Sequence, residues 1–144
     1  AVTTAGRLPC KHVLHAVAPT WRGGNEGEEM LLAVAARGCL DKAAALGCES
    51  VSIPGLGSGI FGVPRAVCAR VLFDVALAYF AEHDAATTPL KTVRFTNFDE
   101  PTVGAFDAEL KKRQAKMGAT ATAATADAVP RSMPSTALIV VAGV

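Results

Sequence analysis

Residues 50–64, SVSIPGLGSGIFGVP, carry the types and spacings most able to do chemistry. Gly55, Gly57, Gly59 and Gly62 crowd into one short stretch. Glycine admits positive φ and close approach to a ligand, so such a run can turn several main-chain N–H groups toward a single anion. The string Gly57-Ser58-Gly59-Ile60-Phe61-Gly62 fits G-x-G-x-x-G, the fingerprint of a dinucleotide-binding turn. Six residues of this kind also suit a tight strand-to-helix connection that binds nothing, and the string alone leaves both readings open. Held this way, a diphosphate needs no lysine, because amides and the positive end of a helix supply the field.

The string works only between a strand and a helix. Val51 and Ile53 alternate as a strand does, and Pro64 suits the first turn of a helix, where its missing N–H costs nothing. Residues 11–17, KHVLHAV, predict an earlier strand. A helix is expected over 26–46, with Leu31, Ala35, Cys39, Ala43 and Leu46 inward and Gly47 as its stop. A second helix is expected over 64–83, burying Val67, Val71, Leu72, Val75 and Tyr79. Residues 92–98 alternate as a third strand. Residues 101–117 read as a helix with a Val103, Phe106, Leu110 stripe and a solvated basic end at Lys111, Lys112, Arg113 and Lys116. The β-α-β-α-β-α order predicts a layered α/β domain with helices covering a mainly parallel sheet. Residues 118–136, rich in Ala, Thr and Pro, read as a linker, and 137–144, ALIVVAGV, as an added C-terminal strand.

The chain's 144 residues, 51 % hydrophobic and 19 % charged, are those of one globular domain. A net charge of +1 is too balanced for the electrostatic footprint of nucleic-acid binding, so no nucleic-acid partner is expected. Cys10, Cys39, Cys48 and Cys68 lack C-x-x-C spacing, so reduced thiols and no metal site are expected. No apolar run reaches the roughly 18 residues of a membrane span, and the start carries no charged n-region followed by an apolar h-region. The expectation is an intracellular protein, cytoplasmic or nuclear, with no membrane partner. The chain opens on Ala1 in structured-looking sequence, as a fragment or an incomplete gene model would.

Read together, the blocks GRLPCKHVLHAVAPTW, CLDKAAALGCESVSIPGLGSGIFGVPRAVCARVL and VRFTNFDEPTVGAF resemble the macro domain, the module that binds ADP-ribose. The likeness runs from about residue 3 to 110. It implies a three-layer α/β/α fold with a mixed, mainly parallel sheet, and divides the chain into a macro-like 1–117, a linker 118–136 and a strand 137–144. It further implies that Gly57, Ser58, Gly59, Ile60, Phe61 and Gly62 wrap a diphosphate and distal ribose, with Phe61 against the ribose and Ser58 adding a hydroxyl. Asn97 and Phe98 fall where the family places its adenine contact. For Phe98 the alternative is an ordinary core aromatic.

The family's first two strands, with an acidic adenine ligand, an asparagine segment and a second glycine-rich loop, have no counterpart before Ala1. Residues 137–144 would fill the vacated sheet position without replacing that chemistry. The resemblance therefore favours a binding module for ADP-ribose or ADP-ribosylated protein, with no cofactor and no assigned catalytic residue. An ADP-ribosyl or O-acetyl-ADP-ribose hydrolase is the second reading, and a non-binding remnant the third. A nicotinamide dehydrogenase fits worse, because its acidic ribose ligand should lie about 20 residues past the glycines, where this chain is within a helix.

Other chemistry has weaker support. His12 and His15 stand on opposite faces of a strand, against a paired acid–base role. Cys10 and Cys68 lack a secure activating neighbour, so packing is the better reading. Asp99 and Glu100 could touch adenine or ribose, but an N-cap beside Pro101, made by Asp99 or Thr102, is favoured.

Overall fold

The computed structural model describes residues 1–117 and 136–141. Its strands are β1 (Val2–Thr4), β2 (His12–Ala16), β3 (Ser50–Ile53), β4 (Thr92–Phe95) and β5 (Thr136–Val141). The helices are α1 (Glu28–Ala45), α2 (Arg65–Glu82) and α3 (Glu100–Met117). One sheet runs β1-β2-β5-β3-β4, with β1 antiparallel to β2 and the other neighbours parallel, the mixed, mainly parallel α/β arrangement that the alternation predicts. β5 lies between β2 and β3, pairing Leu14 with Ile139 and Val51 with Ala137. Residues 118–135 and 142–144, which include most of the expected linker and the end of the expected last strand, lie outside the described residues.

Strand alternation sends Leu14, Ala16, Val51 and Ile53 into one core with Leu32 and Leu40 of α1 and Leu72 and Tyr79 of α2. Phe95 extends that core at the sheet's end, its ring centroid 4.7 Å from Phe73 of α2 and 5.3 Å from Phe106 of α3. Arg113 of α3 donates to Asp74 at 2.7 Å and to the Arg70 carbonyl at 3.2 Å, and its guanidinium covers Phe73. The basic helix end is therefore not uniformly solvated, since Arg113 clamps α3 to α2.

Three further expectations need correction. The buried stripe of α1 is Leu32, Ala36, Cys39, Leu40 and Ala43, whereas Leu31 is half exposed. Both registers satisfy helical spacing in so alanine-rich a segment, and contact with the sheet selects between them. On α3, Thr102 and Phe106 are buried while Val103 and Leu110 are exposed, because α3 packs on α2 and sets Phe106 against Phe73 and Phe95. β1 has only three residues and no periodicity, so nothing in the sequence announced it.

Candidate anion-binding site at the ends of β3 and β4

β3 and β4 pair in parallel from Ser50↔Thr92 to Ile53↔Phe95, so the segments that follow them leave the sheet at the same edge. Ligand sites of open α/β sheets form there, beyond the carboxyl ends of strands. The third strand ends at Phe95, not Phe98. Asn97 and Phe98 consequently belong to a loop facing the glycine segment.

The glycine segment folds as two tight turns. Ser58 N–H donates to the Gly55 carbonyl at 3.2 Å and Gly62 N–H to the Gly59 carbonyl at 3.0 Å, and Val63 N–H closes onto Gly57 O at 3.0 Å. Gly57 sits at φ 72° and Gly62 at φ 71°, which favour glycine. Gly55 and Gly59 do not have positive φ. Gly55 is required by space instead, because a Cβ there would stand 2.6 Å from Ser58 Oγ, while Gly59 faces open solvent. Pro64 is the N-cap of α2, one place before the first helical turn expected for it; its φ of −56° suits entry to the helix and its ψ of 132° keeps it outside.

Those bonds consume the amides of Ser58, Gly62 and Val63. The amides of Gly57, Gly59, Ile60 and Phe61 have no partner among the described residues. Three of them are consecutive, and their segment lines a cavity of about 630 Å³ together with Arg65, Asn97 and Phe98. That volume suits a small-molecule ligand. The first-turn amides of α2, which no intrahelical carbonyl can reach, add the positive end of its dipole beside Arg65.

Of the expected site residues, Gly57, Ser58, Gly59, Ile60, Phe61, Asn97 and Phe98 all line this cavity, and Gly62 closes the turn behind it. Ile60 is 96 % exposed and Phe98 fully exposed, so Phe98 is no core aromatic. The Ser58 hydroxyl donates to Gly55 O at 2.9 Å, leaving its hydrogen committed within the turn. Asn97 Oδ1 accepts from Gly55 N–H at 2.8 Å and ties the two loops together.

Arg65, which carries no distinctive sequence signal, and Asp99, expected as a helix cap or ribose contact, also line the cavity. Arg65 Nε donates to Thr102 Oγ1 at 3.0 Å. Asp99 is the N-cap of α3, accepting from Thr102 N–H at 3.0 Å and Thr102 Oγ1 at 2.8 Å. The Thr102 hydroxyl, the Thr102 amide and the Arg65 charge hold the Asp99 carboxyl below its ordinary range.

The remaining chemical candidates lie elsewhere. His15 Nε2 meets Thr3 Oγ1 at 2.9 Å on the β1–β2 edge. Cys68 is buried with Sγ 3.3 Å from Leu56 O, and burial pushes its thiol up to about 12. Among the described residues no cluster fit to hold a metal occurs, and no helix is long and apolar enough to cross a membrane.

Fold and site together define an α/β domain with a cavity-lining glycine loop at the carboxyl edge of its sheet. The chain belongs to the Macro domain family, whose model matches residues 1–72. It is 40 % identical over 99 residues to an O-acetyl-ADP-ribose deacetylase of Cronobacter sakazakii, covering 69 % of this chain and 53 % of that protein. A protein of Thermotoga maritima is 40 % identical over 106 residues, or 74 % of this chain and 17 % of the relative. The chain thus spans about half the length, or less, of these curated relatives. The Oceanobacillus iheyensis macrodomain with ADP superposes with a TM-score of 0.72 at 24 % identity, covering 81 % of this chain and 58 % of that one. The Trypanosoma brucei macrodomain in complex with ADP-ribose gives 0.66 at 23 %, covering 76 % and 44 %. These two likenesses establish the fold.

Proposed function

We propose that the chain binds ADP-ribose, free or carried on a protein, with its diphosphate on the amides of residues 59–61 and its adenine against Phe98. The observation that carries this reading is the run of three consecutive amides without a partner among the described residues, in a segment that lines a cavity also lined by a fully exposed aromatic. Exposed N–H groups converging on one point form an anion nest. Residues 1–117 form the binding domain in this reading, with β5 (Thr136–Val141) completing its sheet, and the seat of β5 between β2 and β3 supports that division.

Hydrolysis is the second reading, favoured by the names of the enterobacterial relatives. Binding is preferred because the titratable groups lining the cavity are Arg65 and Asp99, and Asp99 is engaged in capping α3. A general base must be free to take a proton from its water.

Calorimetric titration with ADP-ribose, ADP and AMP tests the proposal, with Gly59→Glu as the paired variant. Nothing lies within 4 Å of a Cβ at Gly59, so the glutamate fits the fold and sets a negative charge beside the diphosphate. Saturable heat from ADP-ribose and ADP that Gly59→Glu abolishes is expected. No heat from the wild type at millimolar ligand overturns the reading. Release of ADP-ribose from modified protein, followed over time, decides for the hydrolase if it turns over.

A further inference from the structure

Glu28 is 3 % exposed and lies outside the cavity, yet its carboxylate gathers the loop before α1. Oε1 accepts from Arg22 N–H at 2.9 Å and Gly24 N–H at 3.0 Å, and Oε2 accepts from Glu26 N–H at 2.7 Å. The N-cap of α1 is Gly27, at φ 80° and without a side chain, and the first helical residue folds its carboxylate back onto the amides of the loop that precedes the helix. Its own amide, then that of Arg22, with those of Glu26 and Gly24, outweighs burial and holds the carboxyl at about 2.

The loop so gathered meets the glycine segment at Trp21. Trp21 N–H donates to the Phe61 carbonyl at 2.8 Å, and a Cβ on Gly62 would lie 3.9 Å from Trp21 Cβ. The indole covers Gly24, where a Cβ would stand 2.8 Å and 2.9 Å from ring carbons. The Phe61 carbonyl belongs to the peptide following the three free amides, so whatever fixes it fixes the direction in which the nest points.

We infer that Glu28 is a positioning residue for the anion loop, acting through Trp21 and the Phe61 carbonyl to set affinity for diphosphate ligands. The inference rests on the proposed binding of ADP-ribose. It needs no contact between Glu28 and ligand, and it follows from the rule that main-chain donors recognise an anion only when held in a fixed direction.

Trp21 is the chain's only tryptophan, so its emission reports on this contact. The test titrates ADP-ribose and ADP into wild type, Glu28→Gln and Gly24→Ala, reading Kd and stoichiometry by calorimetry and Trp21 emission in parallel, at a temperature where circular dichroism shows each variant folded. Glutamine keeps the shape but sets an N–H₂ against a row of N–H donors, and the alanine pushes the indole. Expected are stoichiometries near one and Kd values raised about tenfold for both ligands, the scale of one hydrogen bond. Mere destabilisation lowers the active fraction and leaves the Kd of the folded molecules unchanged. Wild-type binding with unaltered Kd in the variants overturns the positioning role alone, as does Trp21 emission that stays constant at saturation in the wild type, a measurement that needs no variant to fold. A wild type that does not bind overturns the binding proposal and this inference together.

Discussion

Gly57→Ala and Gly59→Ala are the same chemical change two residues apart, and the loop geometry makes them opposite in effect. Gly57 has φ +72°, and an added Cβ there would stand 2.9 Å from Val63 Cγ2 and 3.0 Å from Ala18 Cβ. A left-handed backbone costs an L-residue about 1–2 kcal/mol. Overpacking against two core-lining side chains adds about 1–3 kcal/mol. Reduced entropy of the unfolded chain returns about 0.4–1 kcal/mol. The net loss is about 1–5 kcal/mol by these terms. Gly59 lacks positive φ and has nothing within 4 Å, so only the favourable entropy remains. At about 3 °C per kcal/mol for a chain of this size, Gly57→Ala should melt about 3–15 °C below the wild type. Gly59→Ala should melt level with it or slightly above. Urea unfolding followed by far-ultraviolet circular dichroism should repeat the order as a shift in midpoint at constant slope. Equal melting of the two variants would refute the turn geometry from which the free amides at 59–61 were deduced.

Phe98→Ala should raise Kd for ADP-ribose about tenfold, in line with the loss of an aromatic contact, and leave the melting temperature unchanged because the ring is fully exposed; a calorimetric Kd equal to wild type removes Phe98 from the site. Main-chain amides hold the folded Glu28 carboxyl down at about 2, well below the ordinary carboxylate range, so its stabilisation is complete above about pH 4.5 and lost as pH falls toward 2. Denaturant titrations across that window should show a steeper acid loss for wild type than for Glu28→Gln, and parallel curves would contradict this. Burial pushes the thiols of Cys39 and Cys68 up to about 11 and about 12. A disulfide reagent at neutral pH should therefore modify half-exposed Cys10 well before either; equal rates in the folded protein would count against the buried placement.

The elements flanking the site were legible because each has a local cause. Val51 and Ile53 alternate before a cluster of glycines, and the helices over 65–82 and 100–117 begin beside Pro64 and Pro101. What depends on neighbours was not legible. Nothing local distinguishes Gly57, held by its φ, from Gly55, held by the space beside Ser58 Oγ, or from Gly59, which the fold leaves unconstrained. The diphosphate expectation gave Ser58 a hydroxyl for the ligand, whereas the turn spends it on Gly55 O. Glu28 fell inside the helix expected over 26–46 with no signal of its own, because the amides it serves are brought to it by a loop in which Gly23, Gly24 and Gly27 take positive φ.

The two halves of the cavity are not independent loops. Asn97 Oδ1 binds Gly55 N–H, Arg65 Nε binds Thr102 Oγ1, and Thr102 donates to Asp99, the residue after Phe98. The start of α2, which follows the amide nest, is thereby fastened to the start of α3, which follows the aromatic. Ordering flexible loops is among the main costs of binding, and here hydrogen bonds within the protein meet much of it before a ligand arrives. A ligand with its anion and its flat ring at the matching separation gains from both ends at once, whereas AMP, adenosine or inorganic phosphate gains less. The order of affinities, ADP-ribose and ADP above AMP and AMP above phosphate, is thus a consequence of the fastening itself. A variant such as Asn97→Ala, which unties Gly55 from the aromatic loop, should compress that order even where each separate contact survives.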